Sequence, residues 1–210
     1  MNRHYTDFVF DIDGTLLDTE RTGVLSLMQT IRELTGVDVP YEEAYHFFGV
    51  PSSKAASTLG YADEERFAVV WEEHFQELMY LVAPFPGVVE VLLDLRATEA
   101  RLGLVTSRSR AEIAYDTHLA KLLPLFDAVI SSEDSLRHKP FPDPMLVYLE
   151  RTGARKETTL FLGDTMHDWR CGHDAGCDFA LADWKGRGDQ GIPAEYRFAD
   201  AAGLRDILGL

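Results

Sequence analysis

The stretch DFVFDIDGT, residues 7–15, decides the fold of this 210-residue chain. Residues 7–12 form a short apolar run rich in β-forming side chains, and a polar Asp-Gly-Thr segment ends it. Such a run predicts a buried strand that leads into a tight turn. Two aspartates, Asp11 and Asp13, therefore stand where the first strand ends.

Downstream of residue 86, strand-like and helix-like patterns alternate. Strands are predicted at 102–106, 128–131, 159–162 and 178–182, and helices at 88–97, 110–120, 144–152, 168–175 and 201–208. Alternation of this kind predicts an α/β fold with helices around a parallel sheet. We therefore predict a doubly wound parallel sheet as the core of the protein.

Residues 19–86 interrupt this alternation because helical spacing dominates them. Helices are predicted at 20–34, 41–48 and 52–59, and a longer one begins after Asp63 as its N-cap. Two prolines and a glycine within 84–87 cannot continue a helix and mark a boundary. We predict two domains, an α/β core of residues 1–18 and 87–210 and an α-helical cap of residues 19–86 inserted after the first strand.

The charge balance argues against two classes of partner. The chain has 35 acidic and 20 basic residues, a net charge of −15, which disfavours nucleic acid and anionic membranes. Two cysteines are too few for a disulfide framework, and the sequence has neither an apolar leader nor a long apolar stretch. We expect a soluble cytoplasmic protein, a monomer or a homodimer.

Polar side chains collect after the predicted strands, where ligands bind in open α/β sheets. The residues at these strand ends are Asp11, Asp13, Gly14, Thr106, Ser107, Arg108, Lys139, Asp164 and Asp168. Four carboxylates close together cannot all ionise without a counter-charge, and a hard divalent cation supplies one. Oxygen ligands favour Mg²⁺ over zinc. Lys139, the hydroxyl of Thr106 and backbone N–H groups of the turn remain to bind a phosphate.

The spacing of Asp11 and Asp13 also carries chemical information. Two residues apart on an extended segment, their side chains share one face. One carboxylate can attack phosphorus while the other serves the leaving group, and an acyl-phosphate that water later cleaves would result.

Four motifs, in this order, resemble those of the haloacid dehalogenase superfamily. They are Asp11-Ile12-Asp13-Gly14-Thr15, Thr106-Ser107, Lys139-Pro140, and Gly163-Asp164-Thr165 followed by Asp168. The helical segment between the first two motifs resembles the small cap of the phosphoglycolate phosphatase and β-phosphoglucomutase-like branch.

The resemblance implies a role for each acidic residue of the motifs. Asp11 is the expected nucleophile and a Mg²⁺ ligand. Asp13 is the expected general acid and then the base for water, and its backbone carbonyl joins the metal. Asp164 is an expected metal ligand, and Asp168 is expected to reach the metal directly or through water. Members of the superfamily that displace halide lack the second aspartate, so Asp13 favours phosphoryl transfer.

The phosphate-binding residues follow from the same motifs. Thr106 is expected to hold the phosphoryl group and Lys139 to neutralise it, and we expect Gly14 and Ser107 to contribute to the phosphate site. Lys54, one of few cations in the helical segment, is expected to meet the leaving group, although a solvated surface lysine is the simpler interpretation.

The sequence thus predicts a Mg²⁺-dependent phosphatase that hydrolyses a small phosphomonoester, with phosphoglycolate as the first substrate suggested by the resemblance. A sugar-phosphate mutase of the β-phosphoglucomutase type is one alternative, because the same intermediate can return phosphate to a sugar. A catalytically inactive regulator that binds a metal or ligand on the same fold is another.

Two simpler interpretations of individual residues stay open. Asp168 could serve only as an N-terminal helix residue, a position that carboxylates favour. Cys171, His173 and Cys177, with His167 nearby, could suggest zinc, but their spacing fits no standard zinc pattern and a helix face or core position is expected instead.

Overall fold

The structure is a computed structural model that describes residues 4–47, 52–187 and 191–208. The chain divides into two compact units, one made of Met1–Leu17 and Pro84–Leu210 and the other of Asp18–Ala83. Each unit has a hydrophobic core of its own.

The larger unit is built on a six-stranded sheet whose neighbouring strands are all parallel. Its strands are β1 (Asp7–Phe10), β4 (Arg101–Val105), β5 (Ala128–Ile130), β6 (Thr159–Gly163), β7 (Asp178–Ala182) and β8 (Tyr196–Phe198). Their spatial order is β5-β4-β1-β6-β7-β8, so the chain extends the sheet on both sides of β1. The predicted doubly wound parallel sheet is confirmed.

Helices alternate with these strands along the chain. They are α5 (Val88–Arg96), α6 (Arg110–Tyr115), α7 (Leu119–Leu122), α8 (Asp143–Thr152), α9 (Met166–Asp174) and α10 (Gly203–Leu208). On one face of the sheet, Val9 of β1 belongs to a buried cluster with Tyr148 of α8 and Cys171 of α9. Phe10 points to the opposite face and meets Phe126 edge-on, with 6.1 Å between ring centres. Because β1 is covered on both faces, its sequence is a nearly continuous apolar run.

The helix predicted at 110–120 is wrong as a single element. It breaks between Tyr115 and Leu119 because Asp116 takes an extended conformation, with φ −73° and ψ 102°. The Asp116 carboxylate accepts hydrogen bonds from the backbone N–H groups of His118 and Leu119, both at 2.9 Å. A short polar side chain that binds nearby backbone in this way competes with helix continuation.

The sequence pattern also does not predict β8. This strand has three residues, lies at the edge of the sheet, and has partly buried and exposed side chains. A short edge strand has no continuous apolar run to identify it.

The smaller unit is helical. It contains α1 (Glu20–Thr35), α2 (Tyr41–Tyr45), α3 (Ser52–Thr58) and α4 (Glu64–Glu77). Its core is made of Val24, Leu27, Ile31, Ala44, Ala55, Ala56 and Phe67. The predicted N-cap Asp63 is confirmed, since its carboxylate accepts a hydrogen bond of 2.9 Å from the N–H of Arg66. The end of the predicted helix 41–48, at Phe48, lies outside the described residues.

Two short strands, β2 (Leu17–Asp18) and β3 (Ala83–Pro84), form a separate sheet where the chain passes between the units. Beside them, the indole Nε1 of Trp184 donates a hydrogen bond of 2.8 Å to the Thr15 carbonyl. The loop after β7 therefore supports the turn that follows β1. In the part of the chain that the structure describes, every helix is too short or too polar to span a lipid bilayer.

Asp134 fixes the segment that runs from β5 towards Lys139. Its carboxylate, with a side chain only 3% exposed, accepts hydrogen bonds from the N–H and hydroxyl of Ser131 and from the guanidinium groups of Arg110 and Arg151, all between 2.6 and 2.8 Å. Burial opposes ionisation, but the hydrogen bonds from Ser131, Arg151 and Arg110 outweigh it and hold the pKa of Asp134 well below its usual range.

A carboxyl whose pKa falls on folding stabilises the protein above its unfolded-state pKa of about 4 and loses this contribution as the pH falls further. We expect Asp134→Asn to lower the free energy of unfolding by about 1–3 kcal/mol at pH 7, and by less at pH 3. Urea unfolding at both pH values measures the two differences. The control is Asp38→Asn, whose side chain is 80% exposed. A loss that is the same at both pH values would contradict the assigned ionisation.

Candidate active site

Three aspartates from distant parts of the chain meet at the carboxyl edge of the sheet. Asp11 directly follows β1, Asp164 directly follows β6, and Asp168 lies in the first turn of α9. One carboxylate oxygen of each lies within 4.8 Å of those of the other two. Because β1 and β6 are parallel neighbours, both strands end at this edge and bring the carboxylates together.

Lys139 supplies positive charge to this cluster. Its ammonium donates hydrogen bonds of 2.6 Å to Asp11 Oδ1 and 2.7 Å to Asp168 Oδ1, and lies 3.3 Å from the carbonyl oxygen of Val105 at the end of β4. The Lys139 side chain is 5% exposed. With all four groups ionised, the three carboxylates and the lysine carry a net charge of −2.

The pKa values reflect this excess of negative charge. Burial raises the pKa of Asp11 to about 7, with Asp168 and Asp13 adding to the effect and Lys139 opposing it. Burial and the charges of Asp168 and Asp11 likewise raise the pKa of Asp164 well above its usual range. Burial alone would lower the pKa of Lys139, but the two carboxylates beside it raise it instead. The ammonium is therefore charged, and one more cation is needed before all the carboxylates can be ionised at neutral pH.

The donor atoms fit a hard divalent cation. Asp164 Oδ1 is buried and has no hydrogen-bond partner among the described residues. An unpartnered carboxylate oxygen beside two other carboxylates matches the oxygen ligands that Mg²⁺ takes in proteins.

Asp168 has a structural role as well as a place in the cluster. Its Oδ2 accepts hydrogen bonds from the backbone N–H and the hydroxyl of Thr165, at 3.0 and 2.5 Å, and closes a capping box at the start of α9. Its Oδ1 binds Lys139. Asp168 therefore caps α9, as the simpler interpretation states, but its contact with Lys139 means that capping is not its only role.

Gly14 makes room for Asp164. It has a φ of +79°, in the left-handed region that glycine adopts readily. A Cβ atom at this position would also overlap the carboxylate of Asp164. Gly14 is thus required both by the turn after β1 and by the carboxylate beside it.

Asp13 is not one of the three described carboxylates that could share a metal ion. Both of its carboxylate oxygens bind the guanidinium of Arg108, at 2.8 Å to Nε and 2.7 Å to Nη2. Arg108 follows a predicted strand, but the sequence alone indicates no role for it. Its position two residues after Thr106 indicates that Arg108 lies near the site, but this position does not identify Asp13 as its partner.

The remaining predicted site residues differ in what they contact. Thr106 is 2% exposed, and its hydroxyl oxygen accepts a hydrogen bond of 3.1 Å from the N–H of Arg108. Ser107 is exposed next to it. The side chain of Lys54, although its backbone is part of α3, lies outside the described residues.

The two cysteines lie in the hydrophobic core of the larger unit. Cys171 and Cys177 are both buried, and burial raises the pKa of each thiol to about 12. Within the described ranges, the group of side chains that could share a metal ion includes neither cysteine. Trp169, next to the fourth motif, stacks on His173 at 4.8 Å between ring centres. The expected core or helix-face position of the cysteines is confirmed.

The two reasons for glycine at position 14 can be separated by mutation. We expect added Mg²⁺ to raise the melting temperature of the wild type, and we expect Gly14→Ala to abolish this rise because the new methyl group displaces the Asp164 carboxylate. The control is Gly36→Ala, which places alanine at a similar φ of +72° with nothing within 4 Å. Its cost is backbone strain of about 1–2 kcal/mol, so its response to Mg²⁺ is expected to stay intact. Equal Mg²⁺ responses in both variants would contradict the role of Gly14.

Known proteins share both the sequence and the fold. The chain matches the family model of the haloacid dehalogenase-like hydrolases over residues 8–182. A pyrophosphatase PpaX from Oceanobacillus iheyensis is 29% identical over 177 residues, which cover 84% of this chain and 82% of the relative. A pyrophosphatase PpaX from Bacillus velezensis is 26% identical and covers 100% of this chain and 99% of the relative.

Two solved structures also resemble this chain. A Lactobacillus plantarum protein assigned by inference to the phosphoglycolate phosphatases has a TM-score of 0.88 at 25% identity, covering 97% of this chain and 99% of that one. CbbY from Rhodobacter sphaeroides, solved with phosphate, shares the fold with a TM-score of 0.82 at 21% identity, covering 98% of this chain and 100% of that one. The predicted superfamily is confirmed: the chain belongs to the haloacid dehalogenase-like hydrolases.

Proposed function

We propose that this protein is a Mg²⁺-dependent phosphatase that hydrolyses a small phosphorylated metabolite through a phosphoryl group carried on Asp11. The observation that supports this most directly is the cluster of Asp11, Asp164 and Asp168 with Lys139 at the carboxyl edge of the sheet. Membership of a hydrolase family supports the reaction class.

Each residue of the site has a proposed part in the first half of the reaction. Asp11 attacks phosphorus through its carboxylate, and the bond from phosphorus to the leaving oxygen breaks. Lys139, which binds Asp11 Oδ1, orients the nucleophile and offsets the negative charge of the phosphoryl group. Thr106, Ser107 and the backbone at Gly14 bind the phosphoryl oxygens. Asp13 donates a proton to the leaving oxygen.

The second half releases phosphate. Asp13, now ionised, takes a proton from a water molecule, and the water oxygen attacks phosphorus. The bond between phosphorus and the Asp11 carboxylate breaks, so Asp11 is regenerated and inorganic phosphate leaves.

The residues proposed to hold Mg²⁺ are Asp11, Asp164 and the backbone carbonyl of Asp13, with Asp168 in contact directly or through water. When bound, the ion neutralises the carboxylates and the transferred phosphoryl group. Asp164 has no hydrogen bond at Oδ1 within the described part of the chain, and this supports its assignment as a ligand.

The family resemblance and the named relatives suggest two substrates. Phosphoglycolate comes first, because the motifs and the helical segment resemble that branch and a structural relative at 25% identity is assigned to that activity by inference. Pyrophosphate is the second candidate, because relatives that cover most of this chain carry the name pyrophosphatase. The helical unit of residues 18–83 is proposed to act as a cap that selects between substrates.

A panel of phosphoglycolate, pyrophosphate and sugar phosphates, scored for released phosphate, tests the proposal. We expect the protein to hydrolyse at least one of these compounds. EDTA is expected to abolish this activity and added Mg²⁺ to restore it. Asp11→Asn is expected to lose at least about 10³-fold in activity, because it lacks the nucleophilic carboxylate. The exposed Asp38→Asn serves as the matched control.

The other outcomes of the panel identify the alternatives. Sugar isomerisation without phosphate release would replace the phosphatase with a mutase. No turnover of any compound would favour a regulator that binds a metal or ligand. Wild-type activity in Asp11→Asn would remove the nucleophile assignment.

A second experiment separates the two proton transfers assigned to Asp13. p-Nitrophenol leaves without needing a proton, whereas attack by water needs a base. We expect Asp13→Asn to release a burst of nitrophenol equal to the enzyme concentration, followed by a steady state about 10²–10⁴-fold below the wild type. Stopped-flow absorbance measures the burst. Asp11→Asn should give no burst, and a linear time course in Asp13→Asn would exclude its role as the base.

A further inference from the structure

Arg108 makes contacts that the proposed reaction does not yet use. It lies at the carboxyl end of β4, and its side chain is only 6% exposed. Its guanidinium binds both carboxylate oxygens of Asp13, which lies 95 residues earlier in the sequence, through two parallel hydrogen bonds. Such a pair fixes the plane of a carboxylate as well as its distance.

Arg108 is itself held from the other side by Asp116. The Nη1 atom of Arg108 donates a hydrogen bond of 2.6 Å to Asp116 Oδ2, and Asp116 is fully buried. The second oxygen of Asp116 accepts the N–H groups of His118 and Leu119. Asp116 is thus fixed by backbone, and it fixes Arg108 in turn.

The backbone of Arg108 is also constrained on both sides of its Cα atom. Its N–H donates to the hydroxyl of Thr106, and its carbonyl accepts a hydrogen bond of 2.9 Å from the N–H of Ser132. The loop that carries Thr106 therefore also sets the position of the guanidinium. In this chain of contacts, Asp13 is the exposed end, with a side chain 37% exposed against 6% for Arg108.

We propose that Arg108 is a positioning residue that orients the carboxylate of Asp13 towards the leaving group, with Asp116 as its anchor. The inference rests on the proposed function, in which Asp13 transfers the proton. Each carboxylate oxygen has two lone pairs, so an oxygen that accepts a hydrogen bond from Arg108 can still exchange a proton with the leaving oxygen. Because Thr106 and Arg108 share one loop, the phosphoryl group and the proton donor keep a fixed separation.

The test uses leaving groups that differ in their need for a proton. Arg108→Lys keeps the positive charge but cannot form the two parallel hydrogen bonds. We expect kcat/KM for an alkyl phosphate to fall about 10–100-fold and that for p-nitrophenyl phosphate to fall less than about 3-fold, because only the alkyl leaving group needs proton transfer. KM is expected to change little for the alkyl phosphate. For p-nitrophenyl phosphate kcat and KM are expected to fall together, because the later attack by water still needs Asp13 as its base.

Two further variants accompany this measurement. Asp116→Asn removes the charge that anchors Arg108, and we expect it to give the same dependence on the leaving group. Arg155→Lys, in the same unit and 76% exposed, is the matched control and should leave the activity towards both substrates unaffected. Thermal melting of each variant shows whether it is folded.

Three results would overturn the inference in folded Arg108→Lys protein. The first is an equal loss of kcat/KM for both substrates, and the second is no loss of kcat/KM for either. The third is an increase in KM at constant kcat, which would assign Arg108 to substrate binding. Failure of the proposed function looks different, because wild type and Asp11→Asn would then have the same activity. If the wild type turns over with Mg²⁺ and Asp11→Asn does not, the leaving-group comparison judges Arg108 alone.

Discussion

The ammonium of Lys139 lies between Asp11 and Asp168, and the rest of the candidate site depends on this contact. All three side chains are at most 8% exposed. A buried charge costs several kcal/mol unless it is paired, so each of the three needs the other two. Asp164 then adds a carboxylate that this lysine does not contact, and it is the excess charge at Asp164 that makes the site suited to a divalent cation.

A second network beside the first gives Asp13 a different environment. Asp11 and Asp13 are two residues apart, yet one belongs with Lys139 and the other with Arg108 and Asp116. Two carboxylates of one motif can perform different chemistry when their surroundings differ. The division matches the proposed roles, a nucleophile that binds the metal and a proton carrier held by a guanidinium.

Much of this site could be predicted because it depends on local rules. An apolar run that ends in Asp11-Ile12-Asp13-Gly14 indicates a buried strand with carboxylates at its end, and the same reasoning placed Asp164. Parallel strands present their carboxyl ends at one edge, so residues at successive strand ends are predicted to meet. The sixth strand, Tyr196–Phe198, escaped prediction because a short edge strand buries too little to leave an apolar pattern.

Periodicity and turn chemistry act over a few residues, so the strand–helix order, the parallel sheet and the residue types at its carboxyl edge can be predicted from the amino-acid sequence. Three contacts become visible only in the folded protein: Arg108 binds Asp13, Asp116 interrupts a helix and anchors Arg108, and Asp168 caps α9 while it contacts Lys139. Side chains far apart in the chain form such pairs, and their partners are selected by where the sheet and its loops place them, which no local pattern encodes.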